Sequence, residues 1–391
     1  MVPPAINARV AETGSPPIPE AQAWTRRYDG ARGPLIDLSQ AVPGAPPHPG
    51  LLERMAEAAG AAGAAKYGPI AGDADLRQAY ATEMARIYDG RIEPADVAVT
   101  AGCNMAFFAA MILLARAGDA VLLPTPWYFN HQMTLDMLGI EPRALPCRAE
   151  AGFVPGAEDA EALIDGRVRA IVLVTPNNPT GAVYPAHVIE AFADLCRRRG
   201  IWLVIDETYR DFLPPGVNRA HGLFAGPAWR DHVVQLYSFS KAYGIPGHRT
   251  GAVAADSAVV AQLAKILDCL QICAPRTAQG ALPWAIEALR DWREANRTDI
   301  NHRAARFRQA LAATPEWRIE SVGAYFAYLR HPFPGETAQA VAERLAVERG
   351  VLSLPGSYFG PGQDGHLRVA FANVGADVLE GLTERLRGFS S

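Results

Sequence analysis

The stretch from Tyr237 to Gly251 sets one lysine, Lys241, between two mostly apolar runs, residues 233–236 and 252–255. A lysine is almost never fully buried unless it is paired or used, and its most economical use here is covalent. Its ε-amine can condense with a carbonyl compound as a Schiff base. Ser238 and Arg249, in the same stretch, suit the oxygens of a phosphate carried by that compound. Pyridoxal phosphate has both groups. Taken alone, the Ser-x-x-Lys spacing reads equally as a solvated basic turn.

Further candidates stand where other apolar runs end. Gly102, Cys103 and Asn104 separate a short β-branched run from an apolar helical pattern; free N–H groups at a helix start would suit a phosphate, and an ordinary strand-to-helix turn is the plain alternative. Tyr128, after a second run, could stack on a pyridine ring, whereas Trp127 and Phe129 read as core. Asn178 lies between Pro176 and Pro179, in a turn that is neither helix nor central strand and in which the bond from Asn178 to Pro179 is a candidate cis peptide. Its amide would meet a ring hydroxyl. Asp206 closes another run and is costly there unless it meets a cation, such as a protonated pyridine nitrogen; as a plain helix cap it would need none. Tyr209 follows at a distance that lets it join Asn178. Arg368 sits inside an apolar strand pattern, where either a substrate carboxylate or a structural acid would be its partner.

The elements that must position these residues are legible as alternating patterns. Seven candidate strands occupy residues 97–100, 120–123, 141–146, 170–174, 201–205, 233–237 and 250–254, with helical spacing between them. This predicts an α/β protein: a mostly parallel seven-stranded sheet between helices, with ligands at the carboxyl ends of the strands. Helices are expected over 51–62 and 74–88, the second capped by Asp73, and a long one over 278–309. Strands at 317–320, 325–329 and 366–370 and helices at 338–348 and 376–387 predict a smaller α+β domain built from both chain ends. The expected division is residues 50–290 for the large domain and 1–49 with 291–391 for the small one.

With 391 residues, 49% hydrophobic and a net charge of −4 spread without a basic stripe, the chain is a poor candidate for nucleic acid. The longest apolar stretch, 105–115, is too short to span a membrane. No leader pattern is visible at the amino end, and five scattered cysteines suggest a reducing, cytoplasmic setting. Cys269 and Cys273 are expected as small core residues of one helix. Residues 360–365 fit G-x-G-x-x-G but precede a strand, so they read as a loop. The nine histidines show no metal-ligand spacing; His248 is expected beside the phosphate site.

Lys241 with Ser238 and Arg249, Asp206 with Tyr209, the run Asn178-Pro179-Thr180-Gly181, and Arg368 occur in an order that resembles the fold type I, class I/II aminotransferases dependent on pyridoxal phosphate. The likeness extends from Ile36 onward. It implies that Lys241 holds the cofactor as an aldimine and moves the proton between the substrate Cα and the cofactor. It implies too that Asp206 pairs with the pyridine nitrogen, and that Asn178 and Tyr209 bind the phenolic oxygen. Ser238, Arg249 and the Gly102-Cys103-Asn104 backbone then cup the phosphate, Tyr67 reaches the cofactor of a partner subunit in a homodimer, and Arg368 anchors the α-carboxylate. Ala41, lining the substrate pocket, stands where the family usually has glycine, and Cys103-Asn104 replace small or hydroxylated residues.

The expected activity is transfer of an amino group between an L-amino acid and a 2-oxo acid. The same machinery used for C–S β-elimination is the alternative, and a DNA-binding regulator lacks a basic reading domain. No second arginine need face the pocket, and Trp127, Phe129, Tyr325, Phe326, Tyr358 and Phe359 could line it, so large apolar or aromatic substrates are expected.

Overall fold

A computed structural model describes residues 4–389; residues 1–3 and 390–391, the ends of the expected small domain, lie outside the described residues. After a short β1 (Ile36–Asp37) come β2 (Val97–Thr100), β3 (Ala120–Thr125), β4 (Glu141–Pro146), β5 (Val168–Val174), β6 (Trp202–Asp206), β7 (Val233–Ser238) and β8 (Gly251–Ala254). The last seven form one sheet in the order β2-β8-β7-β6-β5-β3-β4. Only β8 runs antiparallel to its neighbours; the other pairings are parallel. All seven expected strands are present.

The strands hold their places because successive side chains enter opposite cores. Val97, Val99, Leu122, Ile171, Leu203 and Ile205 face one buried cluster. Ala98, Val121, Val172, Val204, Leu236 and Val253 face the other. Helices Pro49–Gly60, Ala74–Tyr88, Ala186–Arg199 and Arg276–Ala288 cover the first face, and Cys103–Leu114 and Ser257–Gln271 cover the second. Strands buried on both sides are what near-continuous apolar runs encode.

A four-stranded antiparallel sheet follows, ordered β12 (Leu354–Pro355), β13 (His366–Ala370), β10 (Phe326–Arg330) and β9 (Arg318–Gly323). The chain's two ends meet where β1 pairs with β11 (Val351–Leu352) in parallel. Ala21, Trp24, Ile36 and Leu38 share a third core with Phe307, Phe326, Leu345 and Leu379. The strands β11 and β12 were not foreseen, since two residues each are too few to show alternation.

The structure corrects four local expectations. The helix expected over 278–309 is two, Arg276–Ala288 and Arg290–Leu311, broken at Leu289, where the backbone leaves helical geometry at φ −103° and ψ 23°. Asp73 occupies its cap position but makes no side-chain cap bond; its carboxylate pairs with Arg276 at 3.3 Å. Cys269 is exposed and Cys273 lies beyond the helix end, because Ile272 turns the chain out at φ 59°. His248 is exposed to solvent. Residues 360–365 form the expected loop before β13.

Candidate functional site

The carboxyl ends of β2, β3, β5, β6 and β7 converge on a cavity of about 230 Å³. Cys103, Asn104, Tyr128, Asn178, Asp206, Tyr209, Ser238 and Lys241 reach it from those strand ends; Arg249 arrives from the turn before β8, Arg368 from β13 and Ala41 from the loop after β1. Two expected residues are not in its wall. Gly102, at φ +88°, lies behind Arg249, and a Cβ there would come within 2.2 Å of the guanidinium, so only glycine allows this approach. Tyr67 is 79% exposed on a loop outside the cavity.

Lys241 Nζ donates to the Ala41 carbonyl at 2.5 Å and, among the described residues, forms no ion pair. Desolvation, with repulsion from Arg249 and Arg368, brings its pKa from 10.5 down to about 8. Asp206, one strand over, is buried. Burial alone would raise its pKa, but His131 Nε2 at 3.4 Å from Oδ2 and the Thr208 N–H donating to Oδ1 at 2.9 Å outweigh that and hold the carboxyl below its ordinary value. His131 is itself fixed by stacking on Phe107, with centroids 3.8 Å apart.

In the same cavity wall as Arg249, Ser238 Oγ accepts from the Ser240 N–H at 3.3 Å, and the buried Ser240 Oγ has no partner among the described residues. Arg249 itself donates to the Pro246 carbonyl at 3.1 Å. Arg368 is buried, donates to Asn178 Oδ1 at 3.3 Å and to the Ser39 carbonyl, and among the described residues leaves Nε unpartnered. The rings of Phe326 and Phe359 flank it at 5.3 and 5.2 Å. Burial lowers its pKa to about 10, and among the described residues no acid pairs with it. A buried cation with no ion-paired acid suits a carboxylate ligand. An orphan hydroxyl in one cavity with Arg249, an amine whose proton is more easily lost than in water and an ionised acid on the next strand together fit a phosphorylated aldehyde with a protonated ring.

The family description "Aminotransferase class I and II" matches residues 34–386. An arginine–pyruvate transaminase of Pseudomonas aeruginosa is 32% identical over 83% of this chain and 82% of its own length. The chain belongs to the class I and II aminotransferases. An aromatic aminotransferase of Arabidopsis thaliana is 28% identical across 90% of this aminotransferase and 89% of itself. An aspartate aminotransferase of Thermus thermophilus, solved with maleate, superposes with a TM-score of 0.89 at 26% identity, covering 98% of both chains. The chain is thus a transaminase of a family that works with pyridoxal phosphate.

In this aminotransferase the expected aromatic lining is mostly elsewhere. Of Trp127, Phe129, Tyr325, Phe326, Tyr358 and Phe359, only Phe129 reaches the cavity. Phe326 and Phe359 are spent on Arg368, and Tyr325 packs against Tyr209 and Phe212. Ile18, Gln40 and Val42 take their place. The sequence reading also missed His131, Thr208 and Ser240. For His131 a signal existed: it follows Tyr128 by one helical turn and so shares its face. For Ile18, carried by the N-terminal helix Pro17–Trp24, no local signal points to the site.

Proposed function

We propose that this aminotransferase carries an amino group from an L-amino acid to a 2-oxo acid on pyridoxal phosphate held covalently at Lys241, with large apolar or aromatic amino acids as its preferred donors. The observation that carries the reading is the Lys241 amine, its pKa brought down to about 8, in one cavity with the buried Asp206. When bound, the cofactor supplies an electron-poor ring that takes up the electron pair left as the substrate Cα loses its proton.

The chain's own residues do the rest. Lys241 Nζ, once released by the incoming amine, would accept the Cα proton and deliver it across the substrate nitrogen to the cofactor's former aldehyde carbon; a base with a pKa near the working pH does both best. Asp206, kept ionised by His131 and Thr208, holds the ring nitrogen protonated. Asn178 and Tyr209 bind the ring hydroxyl, and Tyr128 stacks on the ring. Ser238, Arg249 and the Gly102-Cys103-Asn104 backbone receive the phosphate, and the orphan Ser240 Oγ supplies a further donor. Arg368 takes the α-carboxylate and, by fixing it, orients the Cα–H bond.

Residues 50–290 are read as the cofactor-binding domain and 1–49 with 291–391 as the smaller one, supported by the core shared between the chain's ends. A homodimer is the expected unit, with Tyr67 reaching the cofactor of the second subunit. Tyr67 is exposed together with Ile70 and Ile272, and Gly68 beside it donates to Cys273 Sγ at 3.4 Å. Free cysteines suit the cytoplasm.

Substrate preference follows from the wall. Its two arginines are allotted to the phosphate and the α-carboxylate, and what remains near them includes Ile18, Val42 and Phe129. The test is the first half-reaction, followed by the cofactor's absorbance across a panel of amino acids. Phenylalanine, tyrosine or leucine should react fastest; a much faster reaction with aspartate or glutamate would refute the preference. Release of ammonia and pyruvate from cystathionine, with no amine transfer to any 2-oxo acid, would refute transamination itself.

A further inference from the structure

A second cavity, of about 270 Å³, opens where the C-terminal end of the helix Ala74–Tyr88, the loop after Tyr209 and the first turn of the helix Arg290–Leu311 meet. None of the residues proposed for transamination lines it. Six arginines do: Arg86, Arg210, Arg219, Arg290, Arg293 and Arg297. Against them the wall sets Asp211, Asp291 and Glu294, with Glu83 and Glu207 beneath.

Five acids stand against six arginines and are unevenly shared: Arg293 has both Glu83 and Asp211, and Arg297 has Glu294 and three carbonyls. Glu83 alone serves three of the arginines, Arg86 at 2.9 Å, Arg290 at 3.2 Å and Arg293 at 2.8 Å. Burial would raise its pKa, but bonds from Arg86 and Arg293 hold it at about 2, as expected of one carboxylate crowded by several cations. Arg210 meets Glu207 only at 3.8 Å and leans on the Tyr237 ring, 4.0 Å away. Arg219 is exposed and, among the described residues, donates only to the Tyr88 carbonyl at 3.3 Å. Among the described residues the Nε atoms of Arg210 and Arg293 have no partner, but both are enclosed by protein; the accessible guanidiniums of the wall are those of Arg86, Arg219 and Arg290. The helix starting at Arg290 adds its positive end, and its cap residue, Leu289, brings no side-chain acceptor.

We propose that this cavity is a second anion site, built for a phosphoryl group carried either as free phosphate or as a small phosphate monoester. A planar carboxylate engages one guanidinium fork at a time. Arginines converging from a helix end, a loop and a helix start present donors in several directions, which a tetrahedral, doubly charged group satisfies better. The volume leaves room for an ester's organic part.

The experiment uses the enzyme loaded with pyridoxal phosphate, so that the cofactor's own phosphate site is filled. Inorganic phosphate and glycerol 3-phosphate are titrated in separate arms by calorimetry at low chloride, against wild type and the double variant Arg219→Ala/Arg290→Ala. Wild type should bind one equivalent per chain, tighter for the ester if an ester is the natural ligand. The double variant should lose about tenfold or more in affinity, the loss of one or two charge-assisted contacts, while keeping its thermal midpoint and its transaminase rate. Absence of saturable binding to wild type, or equal binding by the folded double variant, overturns the proposal. Tighter binding of succinate than of either phosphate overturns the choice of ligand class. A protein that fails to take up pyridoxal phosphate would strike the transaminase reading alone, since the double variant still reports on the second cavity.

Discussion

Two buried arginines, Arg293 and Arg368, show how the same side chain is used in two ways. Arg293 bonds Glu83 and Asp211, each at 2.8 Å. Burial alone would lower its pKa, but Tyr243, Asp211 and Glu83 outweigh it and the charge is held more firmly than in water. Arg368 is as deeply enclosed, yet it has a carbonyl and an amide for partners, two phenyl faces beside it, and a pKa lowered to about 10. The first arginine is compensated from within the chain. The second has no ion-paired acid among the described residues, as the carboxylate-binding role proposed for it requires.

The comparison breaks most visibly at Arg293. Arg293→Met leaves the buried Asp211 without its cation and takes one of three arginines from Glu83, and should cost about 3–5 kcal/mol of stability, read as a lower midpoint in urea. Arg368→Met should do the opposite. Removing an uncompensated cation should leave the cofactor-free protein as stable as wild type or more so, while kcat/KM for the amino acid falls by the equivalent of about 2–5 kcal/mol, the loss of a buried charge pair with the substrate. If Arg368→Met unfolds as easily as Arg293→Met, the distinction between the two arginines fails.

A smaller effect is expected at His131. His131→Phe keeps a ring against Phe107 but removes a hydrogen bond to Asp206, at about 1–3 kcal/mol. The measurable result is a lower kcat and an upward shift in the pH at which the bound cofactor's spectrum changes, with a urea midpoint lowered by no more than that one hydrogen bond accounts for. An unchanged spectrum would remove His131 from the account.

The smallest effect is a pH dependence. The Lys241 ammonium is disfavoured by burial and by Arg249 and Arg368, so the neutral amine is gained as pH rises through about 8 instead of 10.5. Capture of pyridoxal phosphate by the cofactor-free protein should accelerate with pH and level off above about pH 8. In the cofactor-free protein the same shift adds stability as pH rises between those two values, because the unfolded chain still binds the proton that the folded chain has released. A capture profile still climbing at pH 10 would place the lysine in water.

Much of this was legible in the sequence, for reasons that differ between regions. The seven strands of the central sheet announced themselves because both faces are buried and each run is bounded by polar turns; their ends carried Tyr128, Asn178, Asp206 and Lys241 to the site. The turn holding Asn178 was expected as a candidate cis bond, and the Asn178-Pro179 peptide is cis. What stayed hidden depends on contacts distant in the chain. Whether Arg368 met an acid depended on Ser39 and Asn178, 329 and 190 residues away. Aromatic residues near the site in sequence were assigned to the cavity, but Phe326 and Phe359 turned to flank that same arginine. The break at Leu289 carried no proline or glycine to mark it.

The central claim is that the Lys241 amine bonds reversibly to the cofactor's aldehyde. Borohydride reduction of the yellow protein, followed by peptide mass spectrometry, tests it directly. The account predicts a single pyridoxyl adduct on Lys241, lost in Lys241→Ala; an adduct on Lys66 or Lys265 with Lys241 unmodified would contradict it.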